Sequence, residues 1–571
     1  MSSDLIVLKE LPDSHGDAMN EVDSLVKVGN SLHGARPGPA HRTMADNDTN
    51  MPTSPQSTTT NTARLYRGWS IGIALVTLCA VAFLVRVYRI GYDPVWFDEA
   101  ATIGIAMLPF KLLFGEMARL ESSPAGYYVI AKIWGGLFGL EAIPLRLLSA
   151  IAGAVAIIPI WLITRDISGA RSAWLAAGML ALAATHVRLS QDARTYALLF
   201  VPASFGLLLA IRLGLHGAMD RVAVRYVLLL GLMQGSMLWL HSTTPFILLG
   251  LNACLFVTAS FSLLGPRNAV VLVIGANVVT GVVGFVPIIH AITHLLQPQF
   301  ADRWIDEPDV IETFRLYGRA LVGPFLHGVS HVAGGVYAVL VTFAAFFALR
   351  SRNAALFGVL AMLVVSGLAL PLVSNLVPIL LDRTVLFLLT SLLVLVASAT
   401  APLPRPAFLA VGGLLLVLQT MGVVNYQTIA IRKEQWPAVA AALHGRVGDD
   451  AAIVVTEGAF AAIALQIPMR ALGDEPRVIT APPTAVMEQF AAAHLARVPL
   501  LDPSALCSVL NGATEVWVVT RGLPDIVADD PGYSSRSRIV EVLRSAGATR
   551  SPTPPRVDHF LIDQWSRPNC G

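Results

Sequence analysis

The chain has 571 residues, of which 55% are hydrophobic and only 14% charged, and its mean hydropathy is +0.64. Soluble proteins average about 25% charged residues, so this composition excludes a water-soluble globule and a disordered chain. The net charge of +2 provides no general field for holding nucleic acid, and the four cysteines include no CxxC pair typical of a zinc site. The sequence is that of an integral membrane protein.

The first 65 residues differ from the rest of the chain. They are rich in Ser, Thr, Asn, Asp and Pro, and residues 51–62 read MPTSPQSTTTNT. Such a segment buries too little apolar surface to offset its ordering entropy, so we predict a disordered cytoplasmic tail over 1–65. An apolar core near residue 10 with a cleavage site, as in a signal peptide, does not occur, so the first apolar run is expected to stay as an anchor.

Eleven apolar runs have roughly the length that a membrane crossing requires. A hydrocarbon core about 30 Å thick needs about 20 helical residues. We predict about eleven spans, several of them short, at 69–88, 147–164, 173–189, 196–211, 226–240, 244–264, 269–289, 332–349, 354–373, 384–400 and 407–424. The transmembrane domain therefore covers 66–428, and its first outer loop, 92–146, is expected to carry interfacial helices.

The segment 127–140 within that loop is open to two interpretations, a short span or a helix lying in the interface. With the N-terminus inside and this helix in the interface, every short inner loop carries arginine, which is what the positive-inside rule expects. Charge placement therefore favours the interfacial helix. Arg86 and Arg89, at the outer end of the first span, do not follow the rule.

Residues 429–571 have a mixed composition and follow an odd number of spans, which puts them outside the cell membrane. Strand-like runs and helical stretches are present at 452–456, 516–520, 559–564, 436–444 and 484–496. We predict a soluble extracytoplasmic α/β domain. Cys507 and Cys570 lie in it, either as a disulfide or as two unpaired thiols.

The first of three outer polar groups is the pair Asp98 and Glu99, which follows the first span. Charged groups in or beside membrane spans are costly unless paired or wetted, so they mark function by default. Neighbouring residues on a helix point about 100° apart, so these carboxylates suit two separate tasks, a general base and a positioning or metal ligand. The alternative is an ordinary helix N-terminus, where acidic residues complement the dipole.

Two further groups of charges contain arginine. Arg188 lies at the end of the third predicted span, and Asp192 and Arg194 lie in the short loop before the fourth. A phosphate would explain the guanidinium groups, as would a local ion pair of Asp192 with Arg188 or Arg194. Asp382 and Arg383 interrupt an apolar stretch and suit either the binding of a lipid-linked anion or a mutual ion pair. Both groups are therefore candidate phosphate-binding sites.

Two weaker candidates complete the set. His241 ends a predicted span on the outer side and is either a ligand or an interfacial residue. The polar outer loop 297–309 suits sugar binding or a lid. Walker A, GxGxxG and HExxH patterns are absent from the sequence, so an ATPase, a Rossmann site and a zincin receive no support.

The order of the motifs is similar to that of a known family. After the first span come FDEA at 97–100, SPAGYY at 123–128, RLLSA at 146–150 and SQDARTYAL at 190–198. In a multispan chain this order resembles the bacterial branch of the protein O-mannosyltransferase-like, GT-C-type glycosyltransferases, which includes the lipid A aminoarabinose transferases. The resemblance covers roughly residues 69–430 and implies a GT-C-like fold.

The resemblance also implies a donor and a set of site residues. The donor is a sugar on a polyprenyl phosphate, used on the extracytoplasmic face of the bacterial inner membrane. The catalytic carboxylate falls on Asp98, with Glu99 beside it in a positioning or metal role. The second-loop motif falls on Asp192 and Arg194, and a basic residue of a late span falls on Arg383.

From these positions we expect an inverting transfer. Asp98 would accept the proton of an acceptor hydroxyl, while Arg194 and Arg383, with Arg188 or a divalent cation, would stabilise the departing phosphate. Mannose or a pentose such as arabinose is expected as the sugar, and a lipoglycan, polysaccharide or protein of the cell envelope as the acceptor. The chain has SPA at 123–125 where many members have His-Pro-Pro, so the acceptor class does not carry over.

Two other classes of protein stay open. A transporter or flippase of a lipid-linked sugar would use the same arginines but would need no base at Asp98. Transporters often contain repeated halves, and we find no repeat in this sequence. In a structural subunit of an envelope-synthesis complex, the acidic and arginine-containing outer loops would have no function.

Overall fold

A computed structural model describes residues 56–117, 123–295, 309–323, 330–377, 379–428, 433–480, 492–497, 499, 509–510, 512–521, 531–552, 555, 557 and 560–568. Residues 67–571 form one compact unit, and residues 1–66 form another, of which only 56–66 are described. Cys507, Cys570 and almost all of the loop 297–309 lie outside the described residues.

Long apolar helices dominate the membrane part of the chain. Its helices are α1 (Gln56–Val87), α2 (Phe97–Met107), α3 (Gly126–Phe138), α4 (Ala142–Val155), α5 (Ile157–Ser168), α6 (Ala170–Ala181), α7 (Ala184–Leu189), α8 (Tyr196–Leu215), α9 (Arg221–Leu238), α10 (Thr244–Ser260), α11 (Gly265–Val283), α12 (Phe285–Leu295), α13 (Val310–Val322), α14 (Ser330–Ser351), α15 (Ala354–Ser374), α16 (Leu388–Ala399) and α17 (Arg405–Thr428). After α2, a short helix Phe110–Leu112 runs into a π-helical turn, Leu113–Met117. Helix α1 begins inside the segment predicted to be disordered, because an apolar helix propagates backwards cheaply once nucleated.

Eight helical segments within the described residues are long and apolar enough to cross a membrane. They are Trp69–Val87, Ala142–Ser168, Tyr196–Leu215, Arg221–Leu238, Gly265–Val283, Gly334–Ser351, Ala354–Ser374 and Arg405–Thr428. The chain is therefore a polytopic α-helical membrane protein, as predicted. Helix α3, within the segment 127–140, has only 13 residues and is too short to be such a span.

The other three predicted spans differ from the structure. The run 173–189 is broken into α6 and α7, since the chain turns at Leu182 and Ala183. The run 244–264 is the 17-residue α10, and 384–400 contains only the 12-residue α16. Every residue of α16 is buried by neighbouring helices, so its apolar composition reflects a protein core rather than contact with lipid.

Arg86, which did not follow the positive-inside rule, has a structural partner. Its Nη1 donates to the carbonyl of Ala181 at 3.2 Å and its Nη2 to that of Leu180 at 3.2 Å, both in the last turn of α6. It also lies 2.8 Å from His186 Nδ1. A guanidinium group that satisfies the free carbonyls of a helix C-terminus is stabilising, so Arg86 caps α6 and is not a topology signal.

The C-terminal part is a small α/β domain. Its elements are α18 (Trp436–Leu443), β1 (Ala452–Val455), α19 (Ala459–Ala471), β2 (Arg477–Thr480), a π-helical turn (Ala492–Ala496), β3 (Glu515–Arg521), α20 (Pro531–Ser545) and β4 (Phe560–Ser566). The strand order is β2-β1-β3-β4, with the first three parallel and β4 antiparallel to β3. Buried Trp436, Trp517 and Trp565 fill the two faces of the sheet.

The predicted elements of this domain are largely present. Strands β1, β3 and β4 and helix α18 lie at the predicted positions, whereas β2 and α19 were not predicted. Helix α19 packs directly on α2, where Gly104 permits the approach, since a Cβ there would lie 3.0 Å from the Ile463 side chain. The domain therefore rests on the helix that carries Asp98.

Candidate active site

The two acidic residues of the first loop lie in the first turn of α2 and point in different directions. Trp96 is extended, and the helix begins at Phe97. The Glu99 side chain is fully buried, whereas 19% of the Asp98 side chain is exposed. Their divergence follows from the helical rotation of about 100° per residue. Each carboxylate therefore belongs to a different set of contacts.

Glu99 is held by Arg146, which comes from α4. Arg146 Nε donates to Glu99 Oε1 at 2.8 Å and its Nη2 to Oε2 at 2.5 Å. The backbone N–H of Ala193 donates to the same Oε1 at 2.9 Å. Arg146 also donates to the carbonyls of Ile90 and Asp93 at 2.8 Å. This buried ion pair fixes the first and second loops against each other.

Lys433 joins the same group from the segment that follows α17. Its Nζ lies 2.7 Å from Asp192 Oδ1 and 3.3 Å from Glu99 Oε1. Burial alone would raise the pKa of Asp192, but the Lys433 ammonium and the Arg188 guanidinium outweigh it, and the pKa lies below its ordinary value. We call Glu99, Arg146, Asp192 and Lys433 the paired cluster.

The second loop is shaped by Gln191 and Arg188. The Gln191 amide donates to the carbonyls of Arg86 and Tyr88 at 2.8 Å and accepts the Tyr426 hydroxyl at 2.7 Å. Arg188 forms an ion pair with Asp382, and Asp192 is paired with Lys433. These contacts place the turn 190–195 between α1 and α17.

Asp98 meets two arginines on the more exposed side of α2. Its Oδ2 lies 3.6 Å from Arg383 Nη1 and 3.9 Å from Arg194 Nε, and Arg194 Nη1 donates to the Asp98 carbonyl at 3.3 Å. Oδ2 is buried and accepts no hydrogen bond. We call Asp98, Arg194 and Arg383 the open cluster. Arg383 reaches it from the turn before α16, just ahead of the span predicted at 384–400.

His241 lies beside the open cluster, between α9 and α10. Its Nδ1 accepts the Thr243 N–H at 3.1 Å, so the neutral ring carries its proton on Nε2. Burial, with the nearby Arg194 and Arg383 charges, lowers the pKa of His241 to about 3. The imidazole is therefore neutral at physiological pH and packs 5.4 Å from the Tyr196 ring.

The C-terminal domain also reaches the start of α2. Glu434 Oε2 accepts the Phe97 N–H at 3.1 Å and the Trp436 Nε1–H at 2.7 Å, and Glu434 pairs with Arg521 at the end of β3. The first N–H groups of a helix have no intrahelical acceptor, so Glu434 takes the place of a local cap. Lys433 and Glu434 together attach this domain to the residues around Asp98.

The structure brings all of the predicted site residues to one end of the helix bundle but separates them by environment. Asp98 lies near Arg194 and Arg383, and His241 lies close to the same two arginines. Glu99, Asp192 and Arg188 are occupied by other side chains. Glu99 in particular is taken by Arg146 and Lys433, and the described residues contain no group of three His, Cys, Asp or Glu side chains suited to a metal ion.

Three contributors were missed in the sequence. Arg146 was part of a quoted motif but received no role, and Lys433 and Glu434 lie in an ordinary charged stretch after the last span. Their partners are distant in sequence, since Arg146 is 47 residues from Glu99. The signal available in the sequence was the position of Arg146 within an apolar helix, because a charged side chain in such surroundings requires a partner.

No protein-family model matches the sequence, and a search of curated proteins found no match. Solved structures do match. ArnT from Cupriavidus metallidurans superposes in its apo state with a TM-score of 0.58 at 13% identity, covering 88% of this chain and 98% of that one. Its undecaprenyl phosphate complex gives 0.57 at 13% identity, covering 87% and 98%.

This chain has the fold of ArnT. The fold class predicted from the sequence is thereby confirmed: a helical membrane bundle, which the resemblance implied, is followed by a small α/β domain, which the composition of the C-terminal segment indicated. The oligosaccharyltransferase AglB from Archaeoglobus fulgidus is also similar, with a TM-score of 0.48 and 11% identity, covering 86% of this chain and 74% of that chain. At such identities the likeness concerns the fold alone, so the chemistry has to be argued from the residues of this chain's own candidate site.

Proposed function

We propose that the chain is a membrane glycosyltransferase that moves a sugar from a polyprenyl phosphate to a hydroxyl group of a cell-envelope acceptor, on the outer face of the bacterial inner membrane. The observation that carries the proposal is Asp98 Oδ2, a buried carboxylate oxygen without a hydrogen-bond donor, beside two guanidinium groups. The crystal structure of ArnT, which shares this fold, was determined with undecaprenyl phosphate bound. Mannose and arabinose are the sugars that we favour.

In this mechanism the acceptor oxygen attacks the anomeric carbon while the bond from that carbon to the phosphate oxygen breaks. Asp98 Oδ2 takes the acceptor's proton, because it is the buried oxygen whose hydrogen-bonding capacity is unused. The polyprenyl phosphate departs with an added negative charge. Arg194 and Arg383 stabilise that charge as preorganised donors. The configuration at the anomeric carbon is inverted.

The spacing in the open cluster supports a phosphate site. Separations of 3.6 and 3.9 Å are long for charge-assisted hydrogen bonds, which are usually about 2.7–2.9 Å. A phosphate oxygen can therefore displace the contacts of Asp98 with Arg194 and Arg383. Arg383 also borders an apolar cleft lined by Leu199, Phe200, Leu386 and Phe387. Its volume is only about 10 Å³, so a prenyl chain entering there requires the cleft to widen.

The remaining charged residues act as supports in this proposal. Glu99 does not fit a metal-ligand role, because its oxygens are taken by Arg146, Lys433 and the Ala193 N–H. We therefore write no step through a divalent cation. Asp192 and Arg188 hold the second loop, and neutral His241 is available to donate from Nε2 to a sugar hydroxyl.

The second candidate function is transport of a lipid-linked sugar. The phosphate site would serve a transporter equally well, but the unpartnered oxygen of Asp98 would then have no task. Purified protein incubated with labelled mannosyl- or arabinosyl-polyprenyl phosphate separates the two functions. Release of polyprenyl phosphate, with transfer to an acceptor or to water, supports the transferase, and quantitative recovery of intact donor contradicts it.

Asp98→Asn tests the role of the carboxylate. Loss of the proton acceptor should lower kcat about 100- to 10,000-fold, while binding of polyprenyl phosphate to the two arginines is retained. Asp449→Asn removes an exposed carboxylate of the C-terminal domain and should leave turnover unchanged. Near-normal turnover of Asp98→Asn would rule out this residue as the base.

A further inference from the structure

A second cavity lies between α2 and the C-terminal domain, away from the open cluster. Its volume is about 450 Å³. Ile103, Gly104 and Met107 line it from α2, Leu108 from the residue that ends this helix, and Leu112 from the short helix that follows. Nine residues separate Asp98 from Met107, which is a rotation of about 180° on a helix of 3.6 residues per turn. The cavity therefore lies on the face of α2 opposite to the proposed base.

The opposite wall of the cavity is basic. Helix α19 presents Ile463, Gln466, Ile467 and Arg470, which share one face of that helix by their spacing. The π-helical turn that follows β2 contributes His494, and Arg497 comes directly after it. No acidic side chain is among the described lining residues, and neither Arg470 nor Arg497 has a carboxylate partner in the described part of the chain. The wall thus attracts an anion.

The floor of the cavity continues into an apolar surface. Met107 lines the cavity and is exposed, and the nearby Phe110 and Phe114 are exposed and stacked on each other with ring centroids 6.2 Å apart. Exposed apolar and aromatic side chains that lie together in a membrane protein are suited to contact with lipid. One end of the cavity is therefore suited to an acyl chain and the other to a negatively charged headgroup.

We propose that this cavity binds an anionic phospholipid, with the phosphate between Arg470 and Arg497 and the acyl chain along Met107 toward Phe114. Basic pockets at the membrane surface bind anionic headgroups in this way. The bound lipid fills the cavity beside the contact between α2 and α19 and so supports the helix that carries Asp98. The site is distinct from the proposed donor site, and its test does not depend on transfer activity.

The test uses the purified full-length protein, stripped of lipid in detergent. Phosphatidylglycerol, phosphatidylcholine or inorganic phosphate is added, and native mass spectrometry counts the molecules retained. We expect phosphatidylglycerol to be retained in preference to phosphatidylcholine, and millimolar phosphate not to displace it. Two guanidinium contacts, each worth about a factor of five, predict that R470Q/R497Q binds phosphatidylglycerol about 25-fold more weakly.

The matched control is R446Q/R544Q, which removes two exposed arginines of the same domain that do not line the cavity. This variant should retain phosphatidylglycerol as the wild-type protein does. Equal losses in the two double variants would overturn the proposal, because they would indicate attraction by the overall charge of the domain. Displacement of the lipid by inorganic phosphate would also overturn it, since the cavity would then be a site for a free anion.

Discussion

The paired cluster and the open cluster begin at neighbouring residues and contain the same kinds of side chain, yet they differ in how their charges are satisfied. Glu99 accepts hydrogen bonds from Arg146 and the Ala193 N–H, whereas Asp98 Oδ2 accepts none. A buried charge without hydrogen bonds costs stability, so a fold retains it only where it does something else. Adjacent carboxylates here divide into one that holds the loops and one that remains available for chemistry.

The largest expected effect comes from breaking the paired cluster at Arg146. Arg146→Met leaves the buried Glu99 with only the Ala193 N–H and the more distant Lys433 ammonium. Removing one partner of a buried ion pair typically costs about 3–5 kcal/mol. We expect the midpoint of thermal unfolding in detergent, measured by intrinsic tryptophan fluorescence, to be strongly lowered. The loss should affect the fold itself and therefore also abolish binding of the donor.

Arg165→Met is the matched control, since Arg165 lies at the other end of the same helical segment and is paired with Asp166 at the surface. An exposed ion pair contributes about 0–1 kcal/mol. The thermal midpoint of this variant should stay near that of the wild-type protein. Similar unfolding midpoints for the two methionine variants would mean that the buried Arg146–Glu99 pair contributes no more to stability than the exposed Arg165–Asp166 pair.

A smaller effect is expected at Lys433, which joins both loops to the segment after α17. Lys433→Met should cost about 1–3 kcal/mol, because Asp192 and Glu99 lose a charged donor. Without the ammonium, burial should raise the pKa of Asp192, so the folded state binds the additional proton and the variant gains stability as the pH falls from 7 to 5. The exposed Lys111→Met is the control, and a pH-independent loss would contradict this explanation.

The smallest effect is expected at Glu457, a third buried carboxylate that can be compared with Asp98 and Glu99. It follows β1, its Oε1 accepts the Arg521 N–H, and its Oε2 is buried without a partner. Burial raises the pKa of Glu457 to about 7. The folded state therefore binds more protons than the unfolded state between pH 4.5 and 7, and stability falls as the pH rises through this window.

Glu457→Gln removes this titration. We expect thermal unfolding between pH 4.5 and 7 to be flatter with pH in the variant than in the wild-type protein. Glu541→Gln, at an exposed position of α20, should keep the wild-type profile. If the pH dependence of thermal unfolding were the same in Glu457→Gln as in the wild-type protein, the carboxylate would be ionised at low pH in the folded state. Burial would then not raise the pKa of Glu457.

Much of the architecture could be predicted, because apolar runs of about 20 residues have few alternatives. Two of the errors have identifiable physical causes. Helix α16 is apolar because other helices surround it, and composition alone does not distinguish burial in protein from burial in lipid. The break between α6 and α7 was missed for a related reason, since its free carbonyls are satisfied by the distant Arg86.

The candidate site could be predicted in part. Asp98, Arg194 and Arg383 stand out because charges in apolar surroundings are rare, and the structure brings them together. The sequence predicted that Asp98 and Glu99 have two separate tasks, but it did not predict their partners. Which carboxylate is held by Arg146 and Lys433 depends on contacts between segments far apart in the chain, and a local pattern contains no information on them.

The contacts of Lys433 and Glu434 have a consequence for protein engineering. These two residues bind Asp192, Glu99 and the first N–H of α2, although they belong to the connection that leads into the C-terminal domain. A rigid rotation of that domain would have to break all of these bonds at once. These contacts therefore hold the C-terminal domain in one orientation relative to α2. A chimera that exchanges this domain has to keep the native residues at 433 and 434.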